Sequence, residues 1–348
     1  MTTVALLSIV KDEEENIERM LESVYHHIDT YCIVDTGSTD NTKQIIRKFF
    51  DKHDIKGTLI DAPWVDFSDA RNRYLKYGYG IADWGLVVDA DRTLVVTDSN
   101  WKDKLPRIGK GDHQVPMMRV MIEHGDESYY NNMLIRLKGK DLPKVKYRLP
   151  THECLVPVDE SLDAYLSFAF DGIKLIEHAT GSSRTVKHKR DSKLLKRFLF
   201  DNSASDPLYS RALYYYGQTC EEMGRHKDAF YGYWSSMGLT NSPAEASWAA
   251  YKIAYLPSIS VKDKLEALEQ VFKYGYPEAV YANLHLLLAS DRVGDAEKLA
   301  RKYISEPCYT APAVFTVSWI RETGLKLILK KLLPESLVDT FFDNEYKT

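Results

Sequence analysis

The chain has 348 residues, a formal net charge of −4, 44% hydrophobic residues and 28% charged residues. At a soft prior of about 150 residues per domain, this length suggests two domains, and the composition is typical of a globular protein rather than a disordered one. The slightly acidic balance argues against sequence-independent binding of nucleic acid as the main function, because such binding needs a broad positive field.

The cysteines are widely separated and form no Cys-x-x-Cys pair: Cys32, Cys154, Cys220 and Cys308. This spacing favours reduced thiols in a cytoplasmic protein over a zinc ribbon or a disulfide framework. The first apolar segment, VALLSIV, runs directly into KDEEEN, so we interpret it as a strand rather than a signal peptide. No apolar run approaches the roughly 20 residues that span a bilayer, and we therefore predict no transmembrane segment.

The first part of the chain alternates short apolar runs with amphipathic segments, which predicts a parallel sheet covered by helices. The predicted order is strand 4–10, helix 14–27, strand 31–35, helix 41–52, strand 57–61, a helix after WVDFSDARN, and strand 84–88. Between residues 115 and 158, short β-like runs predict a mixed or antiparallel extension of the sheet. A last strand over 173–176 ends near His178.

After Ser182 nearly every segment has helical periodicity. We place the boundary between residues 180 and 195, which predicts domains 1–185 and 186–348. Residues 206–239 are interpreted as a helix-turn-helix unit, in which Gly217 and Tyr233 resemble the packing sites of a tetratricopeptide repeat. A weaker echo covers 293–304, and a third unit is expected between 241 and 276.

Asp89 and Asp91 follow the apolar run of the strand over 84–88. If the chain stays extended there, both carboxylates point into one space, because residues i and i+2 of a strand face the same side. That space lies beyond the carboxyl ends of the strands, where open α/β sheets bind ligands. Converging carboxylates suit Mg²⁺ or Mn²⁺ together with substrate phosphates. The alternative is a solvated turn after a core strand.

The segment CIVDTGSTDNT is a strand that ends in Asp35, followed by a turn and the start of a helix. This places an acceptor and backbone N–H groups at the same edge of the sheet, a geometry suited to a nucleoside or a phosphate. An ordinary βα turn capped by Ser38, Thr39 or Asp40 is an equal alternative.

The segment WVDFSDARN contributes two aromatic residues and a cation. Trp64 and Phe67 are candidates to line a pocket, and Arg71 is a candidate to reach a diphosphate or to buttress the acidic loop. An arginine near the start of a helix is, alternatively, an ordinary surface residue.

Taken together, these segments resemble glycosyltransferase family 2, the inverting, sugar-nucleotide-dependent enzymes of the A-type glycosyltransferase fold. The matching segments, in order, are SIVKDEEENI, VDTGSTDNT, DFSDARN, DWGLVVDAD, Arg136 in NMLIRL, THE at 151–153, EHATG around His178, and KHKRDSKLL. The resemblance implies an α/β, Rossmann-like A-type glycosyltransferase domain followed by an all-α, tetratricopeptide-like domain, as in one subgroup of the family.

The resemblance also implies a metal site for Mn²⁺ or Mg²⁺. Asp91 would bind the ion, Asp89 would contact the ribose or the metal shell, and His178 would complete the metal or diphosphate site. An acid is frequent in the family just after the pair, where this chain has Arg92.

The donor would be a nucleoside-diphosphate sugar, with a UDP-sugar favoured. The donor-binding residues implied by the resemblance are Val10, Asp35, Arg71, Asp89, Lys187 and Arg190, the last two folding over the phosphates. For most charges in the stretch around Lys187 and Arg190 a solvated helix face is the simpler interpretation. Many family members have an Asp where this chain has Thr36, which leaves the choice of nucleotide open.

The expected activity is inverting transfer to an acceptor hydroxyl of a glycan, a lipid-linked sugar or a protein. A carboxylate usually removes the acceptor proton. The resemblance implies Glu153 as the base, because it follows His152 where this subgroup resembles the family's acceptor-side acid, and Asp126 and Asp159 are weaker candidates. The alternatives are a catalytically silent sugar-nucleotide-binding or protein-binding module, and a nucleotidyltransferase, although the chain lacks the Gly-rich N-terminal phosphate loop common in nucleotidyltransferases.

Overall fold

A computed structural model describes residues 2–106, 115–125, 127–139, 142, 144–159, 167–178, 187–306, 317 and 319–345. The chain divides into two compact units, Met1–Lys187 and His188–Thr348. The first combines a sheet with helices, and the described part of the second is helical. The predicted fold class, an α/β unit followed by a helical region, is confirmed.

The first unit alternates strands and helices before it becomes mainly β. Its strands are β1 (Val4–Val10), β2 (Thr30–Asp35), β3 (Gly57–Asp61), β4 (Trp84–Val87), β5 (Arg92–Val96), β6 (Met117–His124), β7 (Glu127–Arg136), β8 (Val145–Arg148), β9 (Cys154–Pro157) and β10 (Phe168–Glu177). Its helices are α1 (Ile17–Val24), which continues into a 3₁₀ turn (Tyr25–His27), α2 (Thr42–Lys52), α3 (Phe67–Gly78) and the short α4 (Trp101–Lys104).

Eight strands form one sheet in the order β3-β2-β1-β4-β7-β6-β10-β5, and β8 pairs with β9 in a separate hairpin. Strands β3, β2, β1 and β4 are parallel neighbours. Beyond β4 the pairing is mixed, because β7 is antiparallel to both β4 and β6, β10 is parallel to β6, and β5 is antiparallel to β10. The predicted parallel start and mixed extension are both present.

The core of the first unit follows from the apolar pattern of the central strands. Val4, Leu6 and Leu7 of β1 are completely buried, as expected for a parallel strand covered on both faces. The predicted apolar face of α1, formed by Ile17, Met20, Leu21 and Val24, is buried against the same core. Helix α1 begins three residues later than predicted, because residues 14–16 form a turn, and β10 begins earlier than the predicted strand.

The second unit is helical over its described residues. Its helices are α5 (Lys187–Asp201, which begins at the last residue of the first unit), α6 (Tyr209–Glu222), α7 (His226–Leu239), α8 (Pro243–Tyr255), α9 (Val261–Phe272), α10 (Pro277–Ala289), α11 (Val293–Ser305), a π-helical turn (Ile320–Gly324), α12 (Leu325–Leu332) and α13 (Glu335–Glu345). The predicted helix-turn-helix unit corresponds to α6 and α7. Across the described residues, no helix combines the length and the apolarity that a membrane crossing requires.

Helices α6 and α7 approach each other closely at two glycines. A Cβ atom added to Gly232 would lie 2.7 Å from the Cα atom of Gly217, so the two backbones are in direct contact there. Neither backbone can shift as a flexible side chain would. The sequence signal at Gly217 therefore has a steric cause, namely that any side chain would force the helices apart.

We expect Gly232→Ala to destabilise the second unit by about 1–3 kcal/mol through overpacking. Gly238, in the same helix, has no atom within 4 Å of an added Cβ, so Gly238→Ala is the matched control. Because alanine favours helix over glycine, the control is expected to be neutral or stabilised by about 0.5–1 kcal/mol. Urea denaturation followed by circular dichroism measures both, and equal midpoints for the two variants would contradict the close approach.

Candidate active site

The candidate site lies where β2, β1 and β4 end side by side. The registers of these parallel strands bring their carboxyl ends to one edge of the sheet. The loop 11–16 follows β1, the loop 36–41 follows β2, and the turn 88–91 follows β4. This edge is the usual ligand-binding position in open α/β sheets.

The loops after β1 and β2 are joined by reciprocal hydrogen bonds. The backbone N–H of Asp12 donates to Oγ of Ser38 at 2.9 Å, and the N–H of Thr39 donates to Oδ1 of Asp12 at 2.7 Å. Of the predicted capping residues, Asp40 is the one that accepts a bond from the first helical residue, Thr42, at 3.0 Å. Ser38 does not cap the helix but accepts the hydrogen bond from Asp12 in the loop after β1. The two loops therefore form one continuous wall.

Asp35 is completely buried at the end of β2. Its Oδ1 accepts hydrogen bonds from the N–H groups of Gly37 at 2.9 Å and Ser38 at 2.8 Å, whereas its Oδ2 is buried and has no hydrogen-bond partner among the described residues. The hydroxyl and the N–H of Thr36 both donate to the carbonyl of Val10, at 3.2 Å and 3.0 Å. Val10 therefore acts through its backbone, and the Thr36 hydroxyl faces into the protein.

The prediction of an extended chain through Asp89 and Asp91 is wrong. Strand β4 ends at Val87, and the N–H of Arg92 donates to the carbonyl of Asp89 at 3.0 Å, which closes a tight turn. The two carboxylates therefore do not share one face of a strand. The alternative, a solvated turn, gives the right backbone but not the right burial, because the Asp89 side chain is only 20% exposed.

Two arginines bind the Asp89 carboxylate, one at each oxygen. A guanidinium nitrogen of Arg71 lies 2.9 Å from Oδ1, and one of Arg92 lies 2.8 Å from Oδ2. Arg71 also donates through Nε to Glu153 at 2.5 Å, and Arg92 donates to Glu177 at 3.0 Å. We refer to Glu153, Arg71, Asp89, Arg92 and Glu177 as the ion-pair network.

The network is largely removed from water, which strengthens its electrostatics. Burial by itself would raise the pKa of the Asp89 carboxyl, but Arg71 and then Arg92 outweigh it and hold that pKa below the usual value. Burial opposes the charge of Arg71 in the same way, yet Asp89 and Glu153 raise the pKa of Arg71 well above its usual value. Both groups are therefore charged throughout the physiological range.

The DFSDARN segment forms the start of helix α3 and its N-cap. Asp66 caps the helix by accepting a hydrogen bond from the N–H of Asp69 at 2.8 Å. The side chain of Asn72 bonds the backbone of Tyr147 in β8 in both directions, at 2.7 Å and 2.9 Å. The N–H of Phe67 donates to the carbonyl of Pro150. The helix that carries Arg71 is thus attached to the hairpin that carries Glu153.

The loop between β8 and β9 holds Glu153 in a constrained backbone. Leu149 and His152 both have positive φ angles, 72° and 53°, in the left-handed region that favours glycine. Such backbone conformations cluster at functional sites.

Asp91 and His178 are adjacent through the backbone. The N–H of His178 donates to the carbonyl of Asp91 at 2.9 Å, and Nε2 of its ring lies 2.8 Å from the Thr93 hydroxyl. Over the described residues, no group of three or more His, Cys, Asp or Glu side chains is arranged as a complete metal site. Because both oxygens of Asp89 already face guanidinium groups, the predicted set of Asp89, Asp91 and His178 is not assembled here.

The remaining predicted residues have varied surroundings. Lys187 is exposed at the start of α5, and Arg190 pairs with Asp191 at 2.9 Å. Asp159 is exposed after β9, and Asp126 lies outside the described residues. Trp64 and Phe67 contact each other edge to face, with ring centroids 4.8 Å apart.

Sequence reasoning missed two parts of the site. Glu177 lies in the EHATG segment but drew no attention beside His178, and the Tyr129 hydroxyl that donates to it at 3.3 Å carries no sequence signal. The hydroxyl pair of Tyr74 and Tyr147, 2.9 Å apart beside Arg71, was also missed. The sequence signal for the ion pairs of this site was Arg92, because a cation directly after two acids indicates a local ion pair.

Residues 6–156 match the family model described as glycosyl transferase family 2. This part of the chain is a glycosyltransferase family 2 domain. The family predicted from the sequence is confirmed for this region. The family 2 domain includes both loops, the acid pair, helix α3 and Glu153, whereas Glu177 and His178 lie beyond the matched residues.

A TPR repeat-containing protein of Synechococcus elongatus is 32% identical over 164 residues, which cover 47% of this chain and 37% of that protein. The chain therefore spans less than two thirds of the length of this relative. Among solved structures, the mannosyltransferase PcManGT of Pyrobaculum calidifontis, in complex with GDP-Man and Mn²⁺, is similar at a TM-score of 0.38 and 15% identity. That similarity covers 84% of this chain and 88% of the other.

Two further solved structures resemble the chain. S. aureus TarS 1-349 has a TM-score of 0.33 and 11% identity, covering 87% of this chain and 91% of the other. Glucosyl-3-phosphoglycerate synthase of Mycobacterium tuberculosis, in complex with Mn²⁺, UDP and glucosyl-3-phosphoglycerate, has a TM-score of 0.26 and 17% identity. Here the similarity covers 36% of this chain and 45% of the other.

We expect Arg71→Ala to destabilise the family 2 domain by about 3–5 kcal/mol, because it removes the cation that pairs with the largely buried Glu153 and leaves the largely buried Asp89 with Arg92 alone. Arg73→Ala is the matched control, since Arg73 lies on the same helix and pairs with the half-exposed Asp69. Loss of such a pair changes stability by within about 1 kcal/mol. Urea denaturation measures the difference, and similar losses in the two variants would contradict the importance of the network.

The stability supplied by ionised Asp89 is expected to depend on pH. Its pKa is lowered from 3.8 in the folded protein, so this contribution is complete above that value and is lost as pH falls through the folded pKa. Asp89→Asn mimics the protonated group. The difference in unfolding free energy between wild type and Asp89→Asn should therefore shrink from about pH 7 to about pH 3. If the difference in unfolding free energy does not change with pH, the lowered pKa of Asp89 is contradicted.

Proposed function

We propose that the protein is an inverting glycosyltransferase that moves a sugar from a nucleoside-diphosphate sugar, with a UDP-sugar favoured, to an acceptor hydroxyl. The observation that carries the proposal is the family 2 match of residues 6–156 over an edge that gathers Asp35, the acid pair and Glu153. Activity of the whole chain is part of the proposal, because the family match ends at residue 156.

The donor nucleoside would bind at the wall formed by the loops after β1 and β2. Oδ2 of Asp35 is a buried acceptor with no donor in the part of the chain that the structure describes, and we assign it to a hydroxyl or N–H group of a nucleoside. Thr36 donates inward to Val10. Because the Thr36 hydroxyl is engaged in this way, other groups of the two loops would distinguish one nucleotide base from another.

The residues present fit a divalent ion held by few protein ligands. Asp91 and His178 would hold Mn²⁺ or Mg²⁺, because such ions are commonly bound by one or two protein groups while substrate phosphates complete the shell. When bound, the ion supplies Lewis-acid stabilisation of charge on the leaving nucleoside diphosphate. We assign Asp89 to Arg71 and Arg92 rather than to the ion.

Glu153 would accept the proton of the acceptor hydroxyl as the acceptor oxygen bonds to the anomeric carbon and the bond to the diphosphate breaks. Arg71 holds one of its carboxylate oxygens, and the constrained loop fixes its backbone. Lys187 and Arg190 remain candidates for phosphate contacts. The acceptor would be a glycan, a lipid-linked sugar or a protein, and the helical unit would bind it or a partner protein.

The test is release of nucleoside diphosphate from a panel of UDP- and GDP-sugars in the presence of Mn²⁺. We expect metal-dependent release by the wild type and background release by Asp91→Asn, because the variant weakens the ion's hold on the diphosphate. Asp54→Asn is the control, since Asp54 is 89% exposed and lies at the end of α2; it should retain full activity.

The same assay separates the alternatives. Metal-dependent binding of UDP, measured by calorimetry, without release from any donor would favour a catalytically silent module. Production of pyrophosphate would favour a nucleotidyltransferase. If the protein shows no metal-dependent UDP binding and no release, both enzyme functions are excluded.

A further inference from the structure

We propose that Arg92 is a positioning residue that sets the orientation of the Glu153 carboxylate through Asp89 and Arg71. The inference rests on the proposed function for the role of Glu153 as a base. Arg92 does not touch Glu153, so any effect must pass through the two residues between them.

The sheet fixes where Arg92 lies. Arg92 is the first residue of β5 and is directly opposite Glu177 in the antiparallel ladder with β10. Oppositely charged residues in such positions attract each other across the strands. The Tyr129 hydroxyl, from β7, holds the same Glu177 oxygen. The guanidinium is therefore anchored by strands rather than by the turn alone.

From this anchor Arg92 reaches back over the turn to Asp89. Because Arg92 holds one carboxylate oxygen of Asp89 and Arg71 holds the other, Asp89 cannot rotate without losing both bonds. Arg71 then presents Nε to Glu153. A planar guanidinium binds two groups in fixed directions, so orientation is transmitted at each step.

The arrangement is better suited to positioning than to stability. The Arg92 side chain is 13% exposed, and its Nε is buried with no hydrogen-bond partner within the described ranges of the chain. A buried donor without an acceptor costs free energy, and buried ion pairs often contribute little net stability. The network holds three acids and two arginines, so Arg92 also limits repulsion among acids at this edge.

The first test uses kinetics with the UDP-sugar that gives most release in the donor panel. We expect Arg92→Ala to lower kcat about ten- to hundredfold through misplacement of Glu153, while KM for the donor changes less than about threefold. Arg92→Lys keeps the charge but reaches one carboxylate instead of two, so its kcat should be intermediate. Lys174→Ala is the control, because it removes another cross-strand ion pair of β10, with Glu123.

A double-mutant cycle separates positioning from general damage. If Arg92 acts through Glu153, Arg92→Ala should lower kcat little further in a Glu153→Gln background, because the effects of coupled residues are not additive. Additive losses, or a rise in KM with unchanged kcat, would overturn the proposal. Thermal unfolding of each variant ensures that folded proteins are compared.

A second readout does not depend on turnover. In ¹⁵N-labelled protein, the Nε–H resonance of Arg71, assigned by its loss in Arg71→Lys, should shift in Arg92→Lys and stay unchanged in Lys174→Ala. An unchanged Arg71 resonance in Arg92→Lys would overturn the proposal. If the wild type releases no nucleoside diphosphate from any donor, the proposed function fails, and the Arg71 resonance still decides whether Arg92 positions its neighbours.

Discussion

The organisation of the site depends on the need to neutralise several carboxylates at one edge of a sheet. Asp89 and Glu153 come from different elements, and without Arg71 between them they would repel each other in surroundings with little water. The ion-pair network meets this need with two guanidinium groups. The network also links four elements of the first unit: α3, the turn after β4, the hairpin of β8 and β9, and β10.

The same network distinguishes the two acids of the pair. Asp89 is held by two arginines, whereas the backbone carbonyl of Asp91 accepts a hydrogen bond from the N–H of His178. A metal site with one carboxylate relies on substrate phosphates for its remaining ligands. Under the proposed function, metal and donor binding would therefore be coupled.

Much of the fold was predictable, because it follows from local pattern. The apolar runs of β1 and β2 and the amphipathic face of α1 can be read directly from the sequence. Strand β1 has the predicted bounds, β2 begins one residue earlier, and α1 begins three residues later. The turn at 88–91 was not predictable, because an apolar run followed by Asp-x-Asp suits both a strand and a turn. The bond between Arg92 N–H and Asp89 decides between them.

The sequence by itself determined the family, the α/β unit, the helical region and the positions of Asp35, Asp91, Glu153 and His178 as candidates. Those features depend on periodicity and on the order of short segments. Only the tertiary structure decided that Asp89 pairs with Arg71 and Arg92, and that Glu177 joins them. The Asp89–Arg92 pair is local, but Arg71 and Glu177 come from distant parts of the chain. The pairing of β5 with β10, two strands far apart in sequence, brings Arg92 opposite Glu177.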